Sequence, residues 1–177
     1  MKICGIVAEY NPFHNGHAYH CAKTRGQIGD ETAIVAVMSG NFVQRGDFAI
    51  VDKYRRAVMA VCAGVDLVIE LPLPAALSSA EGFARGAVAS LAAMGCLTHL
   101  SFGSECGDIT RIRRAAACDR SAIRDHLASG QSYAAALQSA VETVDPDAGA
   151  LLSSPNNTLG IEYCAAIDAL GCDIQPI

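Results

Sequence analysis

The sequence predicts an α/β domain: a doubly wound parallel sheet of about five strands with helices on both faces. Three observations carry that expectation. Short apolar runs without polar alternation recur along the chain, as strands buried on both faces require. Helix-length segments separate them, and the turns between are rich in Gly, Pro, Asn and Asp. Of the 177 residues, 51% are hydrophobic and only 6% aromatic, enough to bury one tightly packed core of small side chains.

The elements follow in order. Ile3 to Ala8 (ICGIVA) is the first strand, placed centrally by its continuous apolarity. A loop through Asn11 and Pro12 leads to a helix from about Gly16 to Gln27. Thr32 to Met38 (TAIVAVM) is the second strand, ending at Ser39-Gly40. Asp52 caps a helix from Lys53 to Ala63, and Gly64 closes it in a left-handed conformation. Asp66 to Leu71 is the third strand, stopped by Pro72. Ser78 and Glu81 form a capping-box pattern for a helix ending near Met94, with Gly95 as its stop. His99 to Gly103 is a short fourth strand, and Asp108 to about Leu127 and Ser132 to Val144 read as helices. Pro155-Asn156-Asn157 introduces a helix from Thr158 to Leu170, ended by Gly171, and Cys172 to Pro176 forms the fifth strand.

Bulk properties exclude several function classes. A net charge of −5 gives no global attraction to nucleic acid, so RNA contact needs a local basic patch or a further part of the protein. The closest of the eight cysteines, Cys164 and Cys172, lie eight positions apart, which matches no zinc or redox motif. Free, mostly buried thiols in a reducing cytoplasm are expected. The apolar run after Met1-Lys2 is broken at Glu9, too short for a signal peptide or a membrane span. A cytoplasmic protein without membrane contact is the expectation.

Three of the five histidines, His14, His17 and His20, recur at intervals of three around Asn15-Gly16. A metal site would need one continuous helix through them and a further ligand; Pro12 and Asn15-Gly16 disfavour the first, and no Cys or carboxylate at ligand spacing supplies the second. No bound metal ion is expected. Anchoring a phosphate fits better. His14 in the loop and His17 on the first helical turn converge above a helix N-terminus, whose N–H groups already favour an anion. Gly16 between them lets a base or ribose approach the backbone. In folds of this class ligands bind beyond the carboxyl ends of the strands, where the strand order reverses.

His14-Asn15-Gly16-His17 resembles the HxGH motif of the HIGH superfamily of nucleotidyltransferases and class I aminoacyl-tRNA synthetases. The wider match comprises GIVAEYNPFHNGHAYH (Gly5 to His20), VMSGNFVQRGDFAIVDKYRR (Val37 to Arg56), GVDLVIELP (Gly64 to Pro72), FGSECGD (Phe102 to Asp108) and SPNNTLGIEY (Ser154 to Tyr163). Together these resemble the tRNA(Met) cytidine acetate ligase family over nearly the whole chain. That resemblance implies a Rossmann-like fold of the HIGH nucleotidyltransferase type. It also implies use of ATP, with Mg2+, to activate acetate as acetyl-adenylate, and acetylation of the wobble cytidine of elongator tRNA(Met). The ATP-binding segment would be Val7-Ala8-Glu9-Tyr10-Asn11-Pro12-Phe13-His14-Asn15-Gly16-His17-Ala18-Tyr19-His20, joined by Gly103 at the end of the fourth strand and by Asn156 and Asn157. His14, His17 and Arg45 are the candidate catalytic residues, Arg45 pairing with phosphate or with the acetate carboxylate. Family members continue past this point into a Ser/Arg signature and a helical tRNA-binding region. Residues 1–177 are therefore read as the nucleotide-binding domain.

Each of these residues has a plainer reading. Asn156-Asn157 suits turn and cap chemistry, and Gly103 a strand-end turn. Arg45 suits a solvated loop, and both the Lys53, Arg55, Arg56 cluster and the Arg111, Arg113, Arg114 run suit solvated faces. Glu70 needs a polar partner, and Glu105 and Asp108 suit helix caps. Two other functions stay open. One is an adenylyltransferase acting on a small phosphate-bearing acceptor, although those enzymes carry Gly-Gly-(Ser/Thr)-Phe where this chain has Ala8-Glu9-Tyr10-Asn11. The other is a non-catalytic nucleotide-binding module.

Overall fold

The computed structural model describes residues 1–177. Five strands form one sheet: β1 (Ile3–Ala8), β2 (Ala33–Ser39), β3 (Leu67–Leu71), β4 (His99–Ser101) and β5 (Gln175–Pro176). Their order is β3-β2-β1-β4-β5 and every pairing is parallel. The order reverses at β1, the central strand: Ile6, for example, is in register with Ala36 on one side and Ser101 on the other. The predicted fold class and the central place of Ile3–Ala8 are both observed.

Alternation along β2 divides the two faces. Ile34, Ala36 and Met38 point to one face and pack with Ile6, Cys21 of α1 (Asn15–Ile28) and Ala60 of α2 (Lys53–Cys62). Val35 and Val37 point to the other and pack with Leu91 of α4 (Ala80–Ala92) and Ile167 of α9 (Pro155–Leu170). A third cluster lies on the far side of α9. There Ile161 and Cys164 meet Ile112 of α5 (Ile109–Ala116), Leu137 and Val141 of α7 (Tyr133–Val144) and Leu151 of α8 (Pro146–Leu151). Gly5 is the close-approach residue of the central strand, since a Cβ there would stand 2.7 Å from Leu91 Cδ1.

Most predicted boundaries hold within two residues, and the exceptions have physical reasons. The stretch read as one helix from Asp108 to Leu127 is two, α5 and α6 (Ile123–Ala128). Between them Asp119 accepts from both the backbone and the hydroxyl of Ser121, at 2.9 Å each, and this local turn outcompetes the helix. Pro72 stops β3 as expected but also opens a single turn, α3 (Leu73–Ala76). Helix α9 starts at Pro155 rather than Thr158, with proline at its first position, where no N–H is needed. α4 is capped by Ser79, whose side chain accepts from Gly82, so the Ser78–Glu81 box is not formed. β4 ends at Ser101, two residues before Gly103, and β5 is only Gln175–Pro176 rather than the whole run from Cys172.

All eight cysteines are free. Burial pushes the thiols of Cys4 and Cys164 up to about 12, which removes their thiolate at neutral pH. Titration with a thiol reagent should therefore be biphasic. The exposed Cys62 and Cys96 should react first in the native protein, and Cys4, Cys21 and Cys164 only after unfolding, when all eight react. A native-state total of eight at the fast rate would contradict this burial pattern.

Candidate functional site

The loops at the carboxyl ends of β1, β2 and β4, with the starts of α1 and α9, surround the reversal point. His14 is the N-cap of α1 in extended conformation, and its Nδ1 accepts from Gly16 N at 3.1 Å. His17, at the third helical position, accepts from His14 N at 3.2 Å through its own Nδ1. This is a capping box built from two histidines in place of Ser/Thr and Glu/Gln. Its consequence is chemical. With Nδ1 of each ring committed as an acceptor, the ring proton sits on Nε2, and both Nε2–H groups remain available as donors. The rings stack with centroids 3.8 Å apart at 24°.

Aromatic packing fixes the pair from below. Tyr10 lies 4.8 Å from Phe13 and edge-on to His17 at 4.9 Å, and it is only 2% exposed. Tyr10 is also the one non-glycine residue with positive φ, 46°, a left-handed turn that lets the chain leave β1 and come back over its end. Burial first, then the neighbouring charges of His14 and His20, depresses the His17 pKa from 6.5 to about 4, so this imidazole is neutral at neutral pH. His20 points elsewhere. Its Nε2 lies 2.8 Å from Ser101 Oγ, which lies 2.8 Å from Thr24 Oγ1, tying α1 to the end of β4. No three His, Cys, Asp or Glu side chains come together in a metal-holding group.

The loop after β2 carries Arg45 at an exposed tip, with no hydrogen-bond or ionic partner in the protein. Phe42 and Phe48 pair across this loop, with rings 4.7 Å apart. Two contacts latch it to the loop after β1: Gln44 N donates to Glu9 Oε1 at 2.6 Å, and Ile50 N to Asn11 Oδ1 at 2.7 Å. Of the basic cluster expected as a solvated face, Arg55 is exposed, whereas Lys53 and Arg56 turn to partners. Lys53 pairs with Glu70 at 2.6 Å, which supplies the partner that carboxylate needed. Arg56 is wholly buried and donates to the carbonyls of Val51, Glu9, Ser39 and Gly40. Its place was readable only from the helical spacing that sets it on the same inward stripe as Ala60.

Gly103 is exposed just beyond β4. Asn156 and Asn157 occupy the first turn of α9, where their amides are taken by Glu105: its carboxylate accepts from Asn156 N at 3.1 Å, Asn156 Nδ2 at 3.0 Å and Asn157 N at 2.7 Å. Glu105 is thus a cap, as anticipated, but of a helix fifty residues distant in sequence. Burial works to raise its pKa and the Asn156 and Asn157 hydrogen bonds outweigh that, holding it low. Asn157 is 3% exposed and accepts from Cys106 N at 3.1 Å. Both asparagines therefore have structural partners in this conformation. Asp108 caps α5, and Arg111, Arg113 and Arg114 lie on its exposed face, Arg114 pairing with Asp145.

A cleft of about 600 Å³ lies beside α1, over the ends of β4 and β5. It brings together Tyr19, His20 and Gly103 from the expected set, and adds Lys23 and Ser101, which sequence reasoning did not single out. Lys23 shares a helix face with Tyr19 and His20, a spacing that could have pointed to it. His14, His17, Asn156 and Asn157 lie outside the cleft lining.

Comparison with known proteins agrees with this fold. The family model described as HIGH nucleotidyl transferase matches residues 1–177. The chain is 48% identical over 187 aligned residues to a tRNA(Met) cytidine acetate ligase of Syntrophotalea carbinolica, covering 99% of this chain and 44% of that protein. It is 43% identical to the Acetivibrio thermocellus protein of the same name, covering 100% of this chain and 45% of the other. Among solved structures, Thermotoga maritima TmcAL bound with alpha-thio ATP superposes with a TM-score of 0.89 at 38% identity, over 99% of this chain and 45% of that one. The chain thus spans a little under half the length of the relatives it matches.

The His17 geometry has a pH signature. Between pH 6.5 and about 4 the unfolded chain binds a proton at this position that the folded chain refuses. Stability is therefore at its full value above pH 6.5 and falls as pH drops through that window. His17→Gln keeps a capping side chain at the third helical position without the titration. Urea midpoints should fall less between pH 7 and pH 5 for His17→Gln than for the wild type; equal losses would remove His17 as the cause.

Proposed function

The chain belongs to the HIGH nucleotidyl transferase family, and from that premise we propose that it binds ATP and supplies the nucleotide-activating half of a tRNA(Met) cytidine acetate ligase. The observation that carries this reading is the stacked His14–His17 pair at the start of α1, with both Nδ1 atoms committed and both Nε2–H donors free. It is joined by the similarity to ligases named for this reaction and to a relative bound with alpha-thio ATP.

In the proposed reaction an acetate oxygen attacks the α-phosphorus of ATP, acetyl-adenylate forms and pyrophosphate leaves. Charge builds on the phosphate oxygens in that step. Two preoriented N–H donors at a helix N-terminus stabilise it without reorganising as it develops. Gly16 keeps the backbone open between them. Arg45, exposed on the neighbouring loop, is proposed to meet a phosphate or the acetate carboxylate. An amine of the wobble cytidine of elongator tRNA(Met) then takes the acetyl group and AMP departs. Mg2+ is proposed to arrive on the nucleotide, since the protein gathers no carboxylate cluster of its own to hold it. Gly103 and the cleft beside it are proposed to receive the nucleoside. Asn156 and Asn157 would reach it only by exchanging part of their bonding to Glu105 and Cys106. The tRNA is proposed to be held largely by surface corresponding to the unmatched length of the relatives.

Calorimetric titration with ATP and magnesium tests the reading. His17→Ala removes one donor and should weaken binding about ten- to a hundred-fold, the range for one hydrogen bond to a charged group. In Gly16→Val, a Cβ at this position falls 2.9 Å from His14 Cε1, so the side chain displaces that ring and should also lower affinity. Equal affinities in three folded proteins would make the histidines structural only. Acetate-dependent exchange of pyrophosphate into ATP then separates the reactions. Turnover of a phosphate-bearing acceptor without acetate would point to an adenylyltransferase, and binding without turnover to a non-catalytic module.

A further inference from the structure

Arg56 is 0% exposed yet makes no ion pair; its guanidinium is met almost entirely by backbone carbonyls. Nε donates to Val51 O at 2.8 Å, Nη1 to Glu9 O at 2.5 Å and to Ser39 O at 3.1 Å, and Nη2 to Gly40 O. The four acceptors come from three segments: the loop leaving β1, the end of β2, and the entry to α2. All three lie on the carboxyl side of the sheet, where the loops of the candidate site begin. Beneath it lies the apolar cluster of Ile6, Tyr10, Ile34, Ala36 and Ala60.

We propose that Arg56 is a positioning residue for the nucleotide: it fastens the loop after β1 to the base of the loop after β2, so that both are ordered as one unit when ATP binds. The inference rests on the nucleotide reading above. Its physical basis is that a planar guanidinium presents five donors in a fixed fork, whereas any other side chain of this length meets fewer acceptors. Above this clamp the Gln44–Glu9 and Ile50–Asn11 hydrogen bonds repeat the same connection between the same two loops. Segment 9–14, which delivers His14 to its cap position, is thereby held to segment 39–51, which delivers Arg45. Burial lowers the Arg56 pKa from its ordinary value, and the carboxylates of Glu9, Asp52 and Glu70 offset part of that effect. A guanidinium is basic enough to stay charged at neutral pH under such a shift.

The test compares ATP affinity and amide hydrogen exchange in wild type, Arg56→Lys and Arg56→Gln, at a temperature where each is folded by circular dichroism. We expect both variants to bind ATP at least ten-fold more weakly. Exchange at the Gln44 and Ile50 amides should accelerate at least ten-fold, while the β1 and β2 amides keep their protection. A purely structural arginine would lower the melting temperature and core protection together and leave the affinity of the folded protein unchanged; that result overturns the proposal. Should neither variant fold, the wild type decides. ATP should slow exchange at Gln44 and Ile50 along with Gly16 and His17, and slowing at Gly16 and His17 alone would overturn it. Absence of ATP binding by the wild type would instead sink the nucleotide reading, and this inference with it.

Discussion

Everything in this domain hangs on the enclosure of β1 between two strands and two layers of helix, with Cys4, Gly5 and Ile6 buried. The strand is hydrogen-bonded to β2 along its whole length and to β4 over three residues, and helices close on both of its faces. A segment in that position favours apolar side chains, and Ile3 to Ala8 carries no charged, amide or hydroxyl group. It also cannot turn back beside itself. The chain must emerge at the carboxyl end and cross over, and because neighbours on the two sides depart in opposite directions, a crevice opens at that end. The location of the site is thus a geometric by-product of packing one apolar strand.

The loops at that end are economical in residue number, because single residues there make more than one connection. His14 and His17 complete the α1 cap through one nitrogen each and leave the other free. Glu9 gives its side chain to Gln44 and its carbonyl to Arg56. Glu105 occupies the start of α9 with a carboxylate, so that helix N-terminus is already neutralised. The starts of α1 and α9 are therefore unlike: one is capped by two imidazoles, and the other is closed by an internal anion.

The sheet and most helices were legible because their signals are local: apolar runs, caps and glycine stops. Asp52, Gly64, Gly95 and Gly171 act as read, the three glycines at positive φ. The opening histidines were placed correctly because a loop and a first helical turn are defined by neighbours in sequence. What escaped is whatever depends on partners far away. Arg56 looked like part of a solvated basic run until four carbonyls from three segments closed around it. Glu105 looked like a cap for its own helix and serves another. The bonding of Asn156 and Asn157 to the Glu105–Cys106 turn likewise has no signal in the neighbouring sequence. The break between α5 and α6 is also tertiary in part, since Arg120 turns there to meet the buried Glu162.

The stacked imidazoles have a consequence for the accounting of protons. With ring centres 3.8 Å apart, two imidazolium ions would repel by about 4 kcal/mol at the effective dielectric of a protein surface. Each ring also holds its place in the cap only while uncharged, because a proton added at Nδ1 would turn that acceptor into a donor facing the Gly16 or His14 N–H. The closed start of α1 and the neutrality of its two rings are therefore a single condition, met or lost together.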